Sequence, residues 1–499
     1  MIPKPLMLSS KANLNQPNII RQFTSLLGKD ISKLNLNDLQ QDSLKKEQDE
    51  NKDQYENSRI KLINSLIGSS NPNKKQLLQK LIPNFSTFFK YTSMFSKIEN
   101  ELLLNHFIQL NPERVISNQE ILEIYLLPLE DSEIKQQILN KLIEKFGQNE
   151  DQEFSSIDFI IEFMNKHNLS ELIEFNVINS LFQTLLKNGN VEELIKFTDK
   201  INTSHEMMFK ILTNNSINDN ALLGKFLFLR YIDKVFKFDS KSISNINYTI
   251  ALYIINYDMI EVTKSFEKHL SDDLNKLGTA LINHINESKI DIEPKNLPLR
   301  KLIIENFGIV QQDTKKLLSK YHEYESKASY GIQIVLLSVV KSFAYLSILN
   351  NSEIDKKIAE TLQPSTITVH LLQILIIMKS YFNIEDGLNL YNQYINELSN
   401  KVNELGFSQR GLITKSIILG FLINNDKNFA WLIFEKSIEK GILADELEIS
   451  NIKKLFKQYS DCFDVANEKW ENEAELKMKN IVLEYVKDIG KLDLKYLIE

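Results

Sequence analysis

The chain has 499 residues, of which 43% are hydrophobic, so it can bury a large core. Its 14 glycines and 10 prolines are few for this length, which argues against a β-rich fold with its many tight turns. The net charge of -7 removes the simple case for nucleic-acid binding that a strongly basic chain makes, although it is compatible with a local basic groove. The single cysteine, Cys462, excludes an intrachain disulfide and a cysteine-based zinc site.

The N-terminal residues 1–29 contain basic side chains and no acid, and 18–27 (NIIRQFTSLL) form a short amphipathic segment with an Arg-x-Phe triplet. Such a start is typical of a mitochondrial presequence, and the triplet resembles the cleavage signal of these presequences. A flexible tail that happens to lack acids would look the same. Residues 30–59 are polar and mixed in charge, which predicts a disordered linker before a helical body at 60–465. We therefore expect a protein of the mitochondrial matrix.

The body shows apolar residues at helical spacing, in blocks of about 12–18 residues. Short polar turns at 187–190 and 424–427 separate such blocks, and Ser352 is placed to cap the start of a helix. No convincing strand pattern of period two interrupts them. The sequence therefore predicts an all-α fold.

One segment, 331–349 (GIQIVLLSVVKSFAYLSIL), is long and apolar enough to raise the question of a membrane span. Lys341 lies near its middle, and a lysine at the centre of a bilayer costs a few kcal/mol. We therefore predict a buried helix of a helical stack and no integral membrane span.

Three blocks of the body share a finer pattern, in which an apolar helix, a short polar turn and a second helix follow one another. They cover residues 177–201, 369–395 and 414–445. In the second and third blocks a small residue, Gly387 or Ala430, comes early in the second helix, where it would let the paired helices approach closely. Each block therefore predicts an antiparallel helical hairpin.

The Asn-Ser-Leu-Phe start at Asn179, the Lys-Asn-Gly-Asn turn at Lys187 and the Glu-Lys-Gly-Ile stretch at Glu439 resemble the pentatricopeptide repeat. The family's unit is a helical hairpin of about thirty-five residues. The resemblance extends well over about ninety residues, the length of its three blocks together. It implies an α-solenoid of stacked antiparallel hairpins, and a tetratricopeptide-like or HEAT-like solenoid that binds protein stays open as an alternative.

Pentatricopeptide-repeat proteins mostly bind organellar RNA, and by this resemblance the chain looks like fungal factors that process, splice, stabilise or translate mitochondrial transcripts. The implied partner is single-stranded RNA, held along successive first helices. The family's base-selecting positions fall on Asn179, Leu372 and Lys415, and the last residue of the third block is Asp445. Leu372 cannot hydrogen-bond a base, so a literal one-base-per-repeat code is doubtful. The candidate RNA-binding residues are therefore Asn179, Lys415 and Asp445.

Each candidate also has a structural interpretation that the sequence leaves open. Asn179 suits the first turns of a helix, and Asp445 suits the cap of a helix that starts before Leu447. Lys415 suits a solvated surface lysine.

Catalytic and metal motifs are missing from the sequence. The seven histidines show no HExxH or HxH spacing, and there is no Walker A, GxGxxG or GxSxG motif. We therefore expect no enzyme, no catalytic residue, no metal, no cofactor and no small-molecule substrate. The acidic balance leaves an alternative function: a protein-binding helical scaffold, such as an assembly or ribosome-associated factor, without direct RNA contact. Residues 466–499 are predicted to form a C-terminal capping helix.

Overall fold

The computed structural model describes residues 31–33, parts of 61–81, positions 136 and 165, and residues 174–498 apart from 202, 218–220, 271–273, 363–366, 404–405 and 464–470. The presequence-like residues 1–29 and the polar linker, apart from a helical turn at Ile31–Lys33, lie outside the described residues. The chain divides into two compact units, residues 1–203 and 204–499.

The described part of the first unit contains a helical hairpin, formed by α1 (Phe175–Asn188) and α2 (Val191–Lys200). The turn between them uses Gly189 at a φ of 68°, a left-handed conformation that glycine adopts without strain. The Asn190 side chain then accepts a hydrogen bond from the Glu193 backbone and caps α2. The hairpin predicted at 177–201 is confirmed.

The second unit is helical wherever the structure describes regular secondary structure. No β-strand occurs among its described residues, only an isolated antiparallel bridge between Val402 and Ser408, so the all-α prediction is confirmed for them. The helices are α3 (His205–Asn215), α4 (Ala221–Asp239), α5 (Asn245–Tyr257), α6 (Met259–Phe266), α7 (Leu274–Ser288), α8 (Leu297–Glu305), α9 (Thr314–Lys327), α10 (Ile332–Asn350), α11 (Glu353–Thr361), α12 (Val369–Phe382), α13 (Ile384–Tyr394), α14 (Gln409–Ile423), α15 (Lys427–Glu439), α16 (Glu446–Phe463), α17 (Glu471–Asp488) and α18 (Leu494–Ile498).

The core of this unit is a row of apolar helices in which each packs against the next. The row runs through α4, α5, α8, α10, α12 and α14, and α11, α13 and α15 each pack beside the row helix that precedes them in the chain. These are the neighbour contacts that stacked hairpins make. The solenoid itself stays a prediction.

The two predicted hairpins of this unit are confirmed as the pairs α12–α13 and α14–α15. Gly387 lies so close to Ser380 of α12 that a Cβ atom added to it would overlap the Ser380 hydroxyl. Gly420 of α14 also approaches Ser380 closely, with 2.7 Å from an added Cβ to Ser380 Cβ. Small residues therefore bring three helices together, and the pattern at Gly387 predicted the close approach of two of them, α12 and α13.

The start of α14 differs from the sequence expectation. The helix begins at Gln409, five residues before the predicted block, because the Ser408 hydroxyl accepts a hydrogen bond from the Gly411 backbone and caps it there. The predicted cap at Ser352 is confirmed, since its hydroxyl accepts from the Asp355 backbone at 3.4 Å.

The apolar segment around Lys341 forms α10, and 67% of its most apolar stretch is buried inside the protein. Among the described residues it is the one helix whose length and composition would also suit a membrane span. Lys341 is 2% exposed and forms an ion pair with Glu305 of α8, with 2.9 Å between Nζ and Oε1. The predicted buried helix is confirmed, because the lysine is compensated by a protein carboxylate.

The C-terminal helix α17 lies across the row and packs against α10, α12, α14 and α16. Lys341 donates hydrogen bonds to the backbone oxygens of Lys487 and Ile489, at 3.0 and 3.1 Å. These carbonyls end α17, where the helix dipole favours a positive charge. The end of α17 is therefore held against the centre of the unit, beside the cavity described next.

Candidate functional site

A cavity of about 690 Å³ opens where the end of α17 meets α8, α10, α12 and α14. Its polar lining comes from segments far apart in the chain: Lys301, Gln333, Thr368, His370, Gln373, Asn403, Lys415, Tyr485, Asp488 and Lys491. Three of these side chains are lysines, and Asp488 is the one acid among the described residues that line the cavity. A basic cavity is thus built into a chain whose net charge is negative.

Lys301 and Lys415 are half-buried lysines of this cavity. Among the described residues, no carboxylate lies within 4.0 Å of either amine. The Lys415 amine lies 5.1 Å from the centre of the Tyr485 ring, and the Lys301 amine lies 3.5 Å from the Gly490 carbonyl oxygen. A ring face and a carbonyl stabilise a cation without neutralising it.

The surroundings of both amines disfavour their charge. Burial lowers the pKa of Lys415 below its usual 10.5, Asp488 opposes this shift, and Lys454 adds to it. Burial also lowers the pKa of Lys301, against the opposing attraction of Glu305. An anion bound in the cavity would place a negative charge beside these two amines, where the described residues place no carboxylate within 4.0 Å.

Lys491 stands at the rim of the cavity, after the end of α17. Its amine lies 3.6 Å from a carboxylate oxygen of Asp488 and 4.7 Å from the centre of the Tyr257 ring. Asp488 is 58% exposed, so this ion pair is weakened by solvent. The rim therefore carries a third cation that stays available to an anionic ligand.

A network of hydrogen-bonded polar side chains forms part of the cavity wall. His370 Nδ1 lies 3.1 Å from Gln373 Oε1, and Gln373 Nε2 donates to the Tyr485 hydroxyl at 3.1 Å. The Tyr485 hydroxyl lies 2.9 Å from the Ser416 hydroxyl. Because Gln373 Oε1 can only accept, the network assigns the histidine proton to Nδ1 and leaves Nε2 as an acceptor.

His370 is neutral around pH 7. Burial lowers its pKa below the usual 6.5, the hydrogen bond to Gln373 opposes the shift, and Lys301 and Lys341 add to it. The wall thus offers neutral hydrogen-bonding groups beside the lysines. This combination suits a ligand with both a negative charge and hydroxyl or base groups.

The structure places the three sequence-predicted site residues in different settings. Lys415 lines the cavity, in the second turn of α14, and does not stand on the open surface. Asp445 precedes α16 and accepts a hydrogen bond from the Leu447 backbone at 2.8 Å, which is a capping contact. Asn179 lies half-buried within α1, in the first unit, and Leu372 is buried in α12.

The remaining cavity residues were missed at the sequence level. One signal could have found Lys301: it interrupts an apolar helical run, as Lys415 and the structurally important Lys341 also do. A lysine at such a position must find compensation inside the protein. His370 and Tyr485 have no comparable local signal.

Residues 392–489 match the model of the MRX12 C-terminal domain family. A stretch of 130 residues, 26% of this chain, is 23% identical to MIOREX complex component 12 of Saccharomyces cerevisiae. It covers 23% of the length of that relative. No solved structure gives a significant match.

The MRX12-like segment, residues 392–489, contributes part of the cavity wall. Lys415, Tyr485 and Asp488 belong to it, whereas Lys301 and His370 come from outside it. The segment also contains α14 to α17, including the end of α17 that Lys341 holds. The cavity therefore lies where the matched segment packs on the rest of its unit.

Proposed function

We propose that the chain is a mitochondrial, translation-related factor that binds single-stranded RNA through the basic cavity. The observation that carries this proposal is the pair Lys301 and Lys415, two half-buried cations without a carboxylate within 4.0 Å among the described residues. Phosphate groups are the anions that such lysines bind in proteins. His370 and Tyr485, which both line the cavity, provide the hydrogen-bonding and aromatic groups that a nucleotide needs.

The mitochondrial part of the proposal has two supports. Residues 1–29 resemble a presequence, and the relative is a component of the MIOREX complex. The likeness favours translation over the other roles expected from sequence, namely transcript processing, splicing and stabilisation. The matrix is the compartment in which such a factor would meet mitochondrial transcripts.

The proposal is one of binding without catalysis. The cavity brings together lysines, amides and a tyrosine hydroxyl, and its one histidine is engaged in the hydrogen bond to Gln373. Among the described residues, no group of three or more His, Cys, Asp or Glu side chains could hold a metal ion. The arrangement supplies positive charge and hydrogen bonds, which suit recognition.

Binding of a labelled single-stranded oligoribonucleotide to the purified full chain, followed by fluorescence anisotropy, tests the proposal. Lys415→Gln should weaken binding by about tenfold, because it removes an incompletely compensated charge from the cavity. Lys436→Gln is the matched control, since Lys436 is exposed on α15 and pairs with Glu439. Equal affinity of the unaltered protein and the two variants, or no binding by any of the three, would contradict RNA binding at this cavity.

A second candidate function, a protein-binding scaffold, is favoured by a different observation on α15. Trp431 and Leu432 are 42% and 45% exposed, and both lie in the MRX12-like segment. Exposed aromatic and aliphatic side chains are typical of protein interfaces. A stoichiometric partner that survives nuclease treatment of mitochondrial extract, and that Leu432→Asp releases, would support this function. Retention of that partner by Leu432→Asp would count against it.

A further inference from the structure

A second group of lysines lies on the outward face of α16. Lys453, Lys454 and Lys457 are exposed, and their spacing places them on one side of the helix. Among the described residues, none of the three has a carboxylate within 4.0 Å. The acidic side chains of α16 lie toward its two ends, at Glu446, Glu448 and Asp461.

This basic face lies beside the cavity. Helix α16 packs against α14, which carries Lys415, and the charge of Lys454 acts on the Lys415 amine. Lys453 and Lys457 stand next to Lys454 on the same helix face. Positive charge therefore extends from the half-buried cavity onto an open helix surface, as a polyanionic strand with one end in the cavity would require.

The volume of the cavity limits what can enter it. About 690 Å³ lies within the range of small-molecule pockets, so it suits one nucleotide and not a folded or double-stranded RNA. The rest of a strand would have to continue over the surface, where the lysines of α16 lie.

The charge in the cavity distinguishes two kinds of phosphate. A phosphodiester carries one negative charge, whereas a terminal phosphate monoester carries about 1.5 to 2 at pH 7. The amines of Lys301 and Lys415, neither of which has a carboxylate within 4.0 Å among the described residues, match the larger charge. Because both amines are half-buried, the Coulomb attraction of a dianion is less screened than at the surface.

We propose that the cavity holds the terminal phosphate monoester of a single-stranded RNA, and that Lys453, Lys454 and Lys457 contact the phosphodiesters that follow it. This inference rests on the RNA binding proposed above and names the part of the strand that the site recognises. The phosphate is at the 5′ end or at the 3′ end of the strand, and both ends share the monoester chemistry that Lys301 and Lys415 recognise.

The test uses the full chain and three oligoribonucleotides of one sequence, carrying a 5′-phosphate, a 3′-phosphate or hydroxyls at both ends. One of the phosphorylated strands should bind about tenfold more tightly than the hydroxyl-ended strand. The double variant Lys301→Gln/Lys415→Gln should lower that affinity to the hydroxyl-ended level. Lys453→Gln/Lys457→Gln should weaken all three strands by the same factor.

A competition experiment between ligands, carried out on the unaltered protein, gives a result that does not depend on how a variant folds. A nucleoside monophosphate should displace the phosphorylated strand while binding more weakly than it, because it lacks contacts with α16. Equal affinity for all three strands would overturn the inference and leave the proposed RNA binding intact. A monophosphate that binds as tightly as the strand would also overturn it, and the absence of RNA binding would remove the proposed function itself.

Discussion

Lys341 Nζ lies 2.9 Å from Glu305 Oε1 inside the second unit, and the two side chains are only 2% and 4% exposed. The Tyr257 hydroxyl donates a hydrogen bond to the second carboxylate oxygen of Glu305, and Lys341 also donates to the backbone of Lys487 and Ile489. One buried ion pair thus joins α5, α8, α10 and the end of α17. It holds in place the wall that carries the candidate site.

Removing one partner of this pair should be strongly destabilising. Lys341→Met leaves the Glu305 carboxylate buried without its cation and frees the carbonyls at the end of α17, so a loss of about 3–5 kcal/mol in unfolding free energy is expected. Urea unfolding followed by circular dichroism measures it. The exposed Lys436→Met is the control and should change stability by less than about 0.5 kcal/mol. Similar losses in both variants would contradict the role assigned to the buried pair.

The same pair predicts acid sensitivity. Burial alone would raise the pKa of Glu305, but the attraction of Lys341 and Lys301 and the Tyr257 hydrogen bond outweigh burial and hold the pKa below its usual 4.5. A carboxyl with a lowered pKa in the folded state stabilises the protein above pH 4.5, and this contribution is lost as the pH falls through the lower folded value.

The acid sensitivity can be measured as the unfolding free energy between pH 6 and pH 3. It should fall more steeply in the unaltered protein than in Glu305→Gln, whose amide does not titrate. Parallel pH profiles for the two proteins would show that Glu305 titrates at the same pH in the folded and unfolded chains.

Arg300 is the second buried cation whose loss should be costly, for a geometric reason. Its guanidinium is fully buried and donates five hydrogen bonds to backbone oxygens of the segments around Asp291 and Ala328. A lysine keeps the charge but cannot form this fork. Arg300→Lys should therefore cost about 3 kcal/mol or more, because several carbonyls lose their donor.

A matched variant separates this geometry from a general preference for arginine. Arg410 also donates to backbone oxygens, those of Leu398 and Asn396, but it is partly solvated. Arg410→Lys should cost less than about 1 kcal/mol, because water replaces its hydrogen bonds. The thermal unfolding midpoints of Arg300→Lys and Arg410→Lys can be compared directly. An equal shift of the midpoint in both variants would refute the special role of the buried Arg300 fork.

Gly387 should not tolerate a methyl group. Its added Cβ would overlap the Ser380 hydroxyl and lie 2.9 Å from Ser380 Cβ, so Gly387→Ala should cost about 1–3 kcal/mol through overpacking. Asn389→Ala, at an exposed position of the same helix, should be neutral or slightly stabilising. Unfolding in urea measures both. A neutral Gly387→Ala would mean that α12 and α13 separate at little cost.

Features that depend on neighbouring residues could be predicted from the sequence. The turn at Gly189, the cap at Ser352 and the close approach at Gly387 each follow from a residue type at a local position. The buried helix around Lys341 followed from the apolar run and from the cost of a lysine in a bilayer. Local rules suffice for these features because each is formed within one helix or one hairpin.

The cavity could be predicted only in part. Lys415 was proposed from its place in a repeat-like block, but its position under the Tyr485 ring depends on how α17 crosses α14. The contact between Lys301 and Gly490 joins residues that are 189 positions apart. Contacts between residues so far apart in the chain produce no periodic pattern in the sequence. His370 and Lys491 could therefore not be assigned to the site from the sequence alone.

The lysines of α16 predict a specific dependence of RNA binding on salt. Each phosphate neutralised on a single strand changes the slope of log affinity against log salt by about 0.7, because condensed counterions are released. Lys454→Gln removes one such contact, so the slope should become shallower by about 0.7. Anisotropy titrations at several salt concentrations provide this slope. Lys436→Gln carries the same change in net charge and should leave the slope unaltered, since Lys436 pairs with Glu439 on α15. Equal slopes in the Lys454 variant and the unaltered protein would place the strand away from α16.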